Sequence, residues 1–208
     1  MGIQKTIAKF IQEDALTLID EQHLEQAKLH ILDTVGVALA GHSDYIASIL
    51  LNYTKETENY GESTILGSTR KTSLSNAALV NGILAHALDY DDSSWRLIGH
   101  PSAVVLPAIL AVAEKLDVSG GEFLTAYLIG VEVSCKIGVT ASPGLYQSGW
   151  HATSVGGVIG ATAGVSYLLK LSEEEIIYAL GISASSACGL RSNFGSMTKP
   201  YHAGIAAQ

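Results

Sequence analysis

Residues 150–169 read WHATSVGGVIGATAGVSYLL, a run without a single Asp, Glu, Lys or Arg. Gly156, Gly160 and Gly164 recur every four residues, so on a helix they share one face. A face without Cβ atoms lets a neighbouring backbone come close. Helix packing is the plain reading of that stripe; a helix wall lining a narrow pocket is the functional one. The composition agrees with close helix packing. Of 208 residues, 48% are apolar and only 7% aromatic, with 21 glycines, and the mean hydropathy is +0.28. Such a chain can bury a core, which excludes disorder, and two cysteines exclude a disulfide scaffold.

Outward from that stretch the helical period dominates. Short amphipathic helices are expected at residues 3–11 and 44–57. A longer one spans about 23–41, with Ala27, Ile31, Val35 and Ala38 on one face. Residues 58–73 are polar and turn-rich, with Ser63-Thr64-Ile65-Leu66 as a short extended segment. Ser73 or Ser75 caps a helix to about Leu88. Pro101 opens the next, to Leu116. Ser119-x-x-Glu122 and Ser172-x-x-Glu175 are capping boxes that open helices to about Val139 and Ser186. Lys199-Pro200-Tyr201-His202 reads as a loop entering a last helix, which stops at Gln208 without a cap. No strand alternation stands out, so the expected class is all-α, a helical bundle.

Twenty acidic against twelve basic residues give a net charge of -8. That argues against nucleic acid and anionic lipid as partners. Residues 137–169 lack Asp, Glu, Lys and Arg, but Pro143-Gly144 and Gln147-Ser148-Gly149 interrupt them, and residues 152–169 carry Thr153, Ser154, Thr162 and Ser166. A helix buried in a soluble core fits better than a membrane span. The first residues lack a signal-peptide pattern. They meet the loose myristoylation pattern at Gly2 and Thr6, unsupported by any basic cluster. Cys135 and Cys188 lie in apolar small-residue surroundings and are expected to be buried free thiols. A reducing, cytoplasmic location is expected.

Three clusters hold the polar chemistry. The first runs from His86 through Asp89, Asp91, Asp92 and Ser93 to His100-Pro101-Ser102. Asp and His together suit proton transfer or metal binding, while a solvated capping loop is the structural alternative. The second is Gly149-Trp150-His151. A lone imidazole there is either a hydrogen-bonded core residue or, at a helix start, a neutral base beside a carboxylate site, its pKa depressed. The third is Arg191 to His202. Residues 176–208 contain no acid and two bases, Arg191 and Lys199. They form an anion site or an ordinary surface loop.

At these clusters the sequence resembles the MmgE/PrpD family, which includes 2-methylcitrate dehydratase and cis-aconitate decarboxylase. The matching stretches are Leu32 to Gly41, Asn81-Gly82 through Asp92, His100-Pro101-Ser102, Gly149-Trp150-His151 and Lys199-Pro200-Tyr201-His202-Ala203-Gly204. The resemblance implies a large helical domain, a smaller α/β lid and a homodimer, in a protein about twice this length. Residues 1–208 then correspond to the N-terminal helical domain, cut at its C-terminus and without the lid. By the same resemblance Asp89, His100 and His151 are catalytic candidates. Ser93, where the decarboxylases have threonine, and Lys199 are substrate-binding candidates. The loop before His100 has one residue more than the family pattern. Arg191 is a further binding candidate, from its place in the acid-free tail.

The expected activity is a lyase acting on a small di- or tricarboxylate, by 2-methylcitrate-like dehydration or cis-aconitate-like decarboxylation. An isomerase or epimerase uses the same proton abstraction, and an inactive helical fragment is the non-enzymatic alternative. Removing a proton next to a carboxylate needs the developing charge stabilised; Lys199 and backbone donors near His151 are candidates. Cys135 and Cys188 lack iron–sulfur spacing, so a cofactor-free acid–base mechanism without a metal is expected. A divalent cation at Asp89, Asp91 and Asp92 is the alternative.

Overall fold

The computed structural model describes residues 2–55, 61–141 and 143–208, the side chain of Asp14 excepted. Among these residues the fold is all-α apart from one two-stranded ribbon. The chain opens with α1 (Ile3–Lys9), a π-helical turn (Phe10–Asp14) and α2 (Ala15–Leu18), so the first helix continues past residue 11. Helix α3 (Glu21–Gly41) starts on a capping box. The Asp20 carboxylate accepts from the His23 N–H at 2.9 Å, and His23 reaches back to the Asp20 N–H. Ala27 and Ala38 are buried and Ile31 and Val35 half-buried, on the expected face. Helix α4 (Tyr45–Thr54) follows; residues 56–57 of the expected helix, and 58–60 of the polar stretch, lie outside the described residues.

Strands β1 (Ser63–Thr64) and β2 (Lys71–Thr72) pair antiparallel. Two residues per strand are too short to show alternation. Buried Asn81 on α5 (Leu74–His86) holds this ribbon. Its side chain accepts from Leu66 N–H and donates to the Thr64 carbonyl, both at 2.9 Å. Ser73 is the cap of α5. Helix α6 (Ser102–Leu116) starts after Pro101. Helix α7 (Gly120–Ala141) opens on the Ser119–Glu122 box and α10 (Glu173–Ser186) on the Ser172–Glu175 box. Between them lie α8 (Gly144–Gln147) and α9 (Ala152–Leu168). Helix α11 (Thr198–Ala207) begins earlier than expected, so Lys199 is in its first turn. Cys135 is buried as expected, but Cys188, just beyond α10, is exposed.

Among the described residues, α7 is the one single helix long and apolar enough to cross a membrane by length and composition. Here it packs against α9, α6 and α3, with Tyr127, Ile129 and Val133 buried.

The glycine stripe of α9 is a packing device, and each glycine has its own neighbour. A Cβ at Gly160 would lie 1.9 Å from Ser134 Oγ and 2.3 Å from the Gly130 carbonyl oxygen, both on α7. At Gly164 it would meet the Ala126 carbonyl at 2.7 Å. At Gly156 it would meet Leu97 Cδ1 at 2.4 Å. Leu97 is fully buried and belongs to the loop between α5 and α6. So the stripe seats α7 at one end and pins that loop at the other.

Gly160→Ala should therefore lower stability by about 1–3 kcal/mol through overpacking, although alanine is the better helix former by about 1 kcal/mol. Gly36→Ala on α3, where a Cβ meets nothing within 4 Å, should raise it by about 0.4–1 kcal/mol. Urea midpoints of both variants check the pair; equal effects would contradict the packing account.

Candidate functional site

Four chain segments converge at one end of the bundle: the end of α5, the loop to α6, the start of α9 and the start of α11. His86 is the last residue of α5 and is buried. Its Nδ1 lies 2.8 Å from Asp91 Oδ2, and neither side chain is exposed. The loop passes Asp89 and Ile98 in left-handed backbone conformation, at φ 57° and 54°. For Asp that region is accessible; for β-branched Ile it is strained. The Ser94–Gly99 bridge and the buried Leu97 hold the strained turn.

His100 ends the loop, and its N–H donates to Thr153 Oγ1 on α9 at 3.0 Å. Its Nδ1 lies 3.5 Å from Asp91 Oδ2 and 3.4 Å from the Asp91 carbonyl, and its Nε2 lies 3.6 Å from Asp89 Oδ1. Asp91 thus stands behind two imidazoles, His86 and His100. Lys199, from the first turn of α11, donates a hydrogen bond to Asp89. Its ammonium also sits 5.2 Å from the centre of the Phe194 ring. Partial burial works against ionisation of Asp89, but the hydrogen-bonded Lys199, with His86 and His100 adding, holds its carboxyl below the usual range.

His151 is the N-cap residue of α9 and only 2% exposed. The predicted depression of its pKa is present, and burial is the leading cause. The imidazole is pushed down to about 2, with His86, His202, Lys199 and His100 contributing. Its Nδ1 is 3.2 Å from His202 Nδ1. Its ring stacks at 5.5 Å on His86 and meets Phe194 edge to face at 4.8 Å. The backbone N–H of His151 is donated to the Gly189 carbonyl at 2.9 Å, so it is not a donor to the site.

His100, His151 and Lys199 border a cleft of about 230 Å³, whose walls also include Ser93, Trp95 and Phe194. That is below the roughly 300–1,000 Å³ of drug-sized ligand sites and suits a small acid. Ser93, His100, His151 and Lys199 are therefore brought together in its walls, and Asp89 joins them through its contacts with Lys199 and His100. Arg191 is not a wall of the cleft. Its guanidinium donates to the Tyr146 carbonyl at 2.7 Å and stacks 3.9 Å from the centre of the Tyr146 ring, which does line it. Asp92 also turns away. Ser102 donates its hydroxyl and its N–H to that carboxylate, at 2.7 and 3.2 Å, which caps α6. Burial raises the Asp92 pKa despite those bonds. A cation site made of Asp89, Asp91 and Asp92 is therefore not formed. Among the described residues His86, Asp89, Asp91 and His100 are the group that could offer ligand atoms to a metal, all within 4.8 Å of one another. Two of those atoms are already paired with each other, and Asp89 with Lys199.

His202 and the pairing of His86 with Asp91 are what sequence reading did not single out, although Asp91 was named for the alternative cation site. His202 follows Lys199 by three residues and so shares its helix face, a spacing hidden by the reading of residues 199–202 as a loop.

A family model described as the MmgE/PrpD N-terminal domain matches residues 5–208. Cis-aconitate decarboxylase of Homo sapiens is 33% identical over 196 residues, covering 91% of this chain and 40% of that protein. The Mus musculus protein of the same name is 32% identical over 191 residues, covering 89% and 39%. The Aspergillus terreus one is 29% identical over 214 residues, covering 100% and 44%. The chain thus spans about two fifths of the length of these curated relatives.

The neutral state of His151 sets a pH dependence. An unfolded histidine takes up a proton near pH 6.5, whereas folded His151 does so only near pH 2. Its contribution to stability is complete above pH 6.5 and lost steadily as the pH falls. Buried His202, lowered by desolvation and by His86, acts in the same direction. Thermal midpoints should therefore fall between pH 7 and about pH 4.5, with a flatter slope in His151→Gln. A slope unchanged by that substitution would contradict the assignment.

Proposed function

The chain belongs to the MmgE/PrpD family, and from that premise we propose that it carries the acid–base half of a lyase site for a small di- or tricarboxylate, with decarboxylation of a cis-aconitate-like acid as the reaction. The observation that carries the reading is the meeting of Lys199, His100 and His151 in the walls of one small cleft, with Asp89 bonded to Lys199 and beside His100. The names of the relatives favour decarboxylation over 2-methylcitrate-like dehydration.

The chemistry follows from the groups. Lys199 supplies the positive charge for a substrate carboxylate, in a chain that is otherwise acidic. The start of α9 adds the positive end of a helix dipole. Ser93 offers a hydroxyl at the cleft wall. In decarboxylation a C–C bond breaks and carbon dioxide leaves. The electron pair left behind is delocalised through the neighbouring double bond, and carbon then takes a proton. His100 is placed to deliver it, with its Nε2 towards Asp89 and its Nδ1 towards buried Asp91, which orients the ring. Dehydration uses the same groups in the opposite sense: a base takes the proton α to a carboxylate and an acid protonates the departing hydroxyl. In each route the protein's groups transfer protons and stabilise charge, and neither route draws on redox chemistry. A cofactor-free mechanism, supported by the cysteine count and the family resemblance, a homodimeric state, supported by the resemblance, and a cytoplasmic location, supported by the two free cysteines, complete the proposal.

The test is the protein expressed from its complete reading frame, assayed with cis-aconitate, citrate and 2-methylcitrate by ultraviolet absorbance and carbon dioxide release. Turnover of cis-aconitate is expected, with kcat of His100→Gln lower by about 10²–10⁴-fold. No turnover of any of the three acids would sink the reading.

A further inference from the structure

The contact between His151 and His202 has a consequence for the chemistry. Both imidazoles are buried, at 2% and 5% exposure, and their Nδ1 atoms are 3.2 Å apart. The rings are tilted by 58° with centres 5.3 Å apart, a hydrogen-bonding rather than a stacking arrangement. Gly189 closes the space around the pair. A Cβ there would lie 3.2 Å from His202 Cγ and 3.3 Å from His151 Cβ, and its φ is 112°. The rings therefore have little room to turn.

Two hydrogen-bonded nitrogens cannot both carry a hydrogen, nor can both be bare. One Nδ1 carries the hydrogen and the other accepts it. If His202 donates, neutral His151 keeps its only proton on Nε2. If His151 donates, its Nε2 is a bare lone pair. With Nδ1 occupied by His202, Nε2 is the nitrogen left to the cleft that His151 lines. A lone pair turned towards a carboxylate repels it, whereas an N–H binds it. The N-terminus of α9 and Lys199 make the same demand for an anion.

We propose that His202 is a positioning residue, which donates its Nδ1–H to His151 and so fixes His151 as the Nε2–H tautomer, a neutral hydrogen-bond donor facing the cleft. This rests on the carboxylate reading of the site and assigns His151 a task within it. It stabilises negative charge on the substrate, and His100 moves the proton. Burial keeps both imidazoles neutral, so the arrangement holds at physiological pH. Because Lys199 and His202 lie three apart on α11, one helix sets both the ammonium and the tautomer.

Imidazole nitrogen shifts and two-bond couplings of the ¹⁵N-labelled 208-residue chain test this directly, since they distinguish a protonated from a bare ring nitrogen. His151 should show a bare Nδ1 and a protonated Nε2. In His202→Asn the amide N–H₂ replaces the donor, and the pattern should persist. In His202→Leu the preference should be lost, the two nitrogens moving to averaged shifts. A protonated Nδ1 on His151 in the unsubstituted chain overturns the proposal whatever the variants do. A His202→Leu spectrum with the His151 pattern unchanged also overturns it. No substrate is present, so this result is separate from the turnover that decides the lyase reading.

Discussion

Helix α9 can lie against α7 and against the loop between α5 and α6 only where no side chain stands between the backbones. Gly160 faces the Gly130 carbonyl and Ser134, and Gly156 faces Leu97. The rest of the site depends on that closeness. Leu97, seated over Gly156, fixes a turn that places Ile98 in a conformation a β-branched residue resists, at a cost of roughly 1–3 kcal/mol. Gly99 then packs on Thr153, and the His100 N–H finds its partner in the Thr153 hydroxyl. Packing far from the chemistry therefore sets where the His100 ring stands.

The electrostatics follow from the same compaction. Four imidazoles lie within stacking distance: His86, His100, His151 and His202, with ring centres 4.8 to 5.5 Å apart along the series. Burial removes the water that would let His151 and His202 charge, and mutual proximity opposes it further. The fixed charges are left to Lys199 and the acids around it. A chain of net charge -8 thus keeps an acid-free stretch, residues 176–208, whose lysine reaches the cleft.

Much of this was legible in the residue order. The Ser119–Glu122 and Ser172–Glu175 boxes mark helix starts because their bonds span three residues, a distance the sequence displays. The motif residues Asp89, Ser93, His100, His151 and Lys199 do converge. What could not be read is pairing across the chain. His151 meets His202 from 51 residues away and Lys199 meets Asp89 from 110. The resemblance picked Asp89 from three neighbouring aspartates, but the partners of the other two were equally hidden. Asp91 turns inward to His86 and Asp92 to Ser102, and only the turn geometry decides. Arg191 looked like an anion ligand by charge alone, but its guanidinium is taken up by Tyr146. Of the β1–β2 ribbon the sequence showed only the extended segment at Ser63–Leu66, because two-residue strands carry no period, and the exposure of Cys188 was missed because an apolar neighbourhood in sequence also occurs at an exposed helix end.

The central claim is that the cleft between the α5–α6 loop, α9 and α11 takes a polycarboxylate. Titration of tricarballylate, a saturated tricarboxylate, into the ¹⁵N-labelled chain measures this most directly. The account predicts saturable amide shifts centred on Asp89, His100, His151 and Lys199, abolished in Lys199→Met. Saturable shifts elsewhere on the surface, or none at these residues, would contradict it.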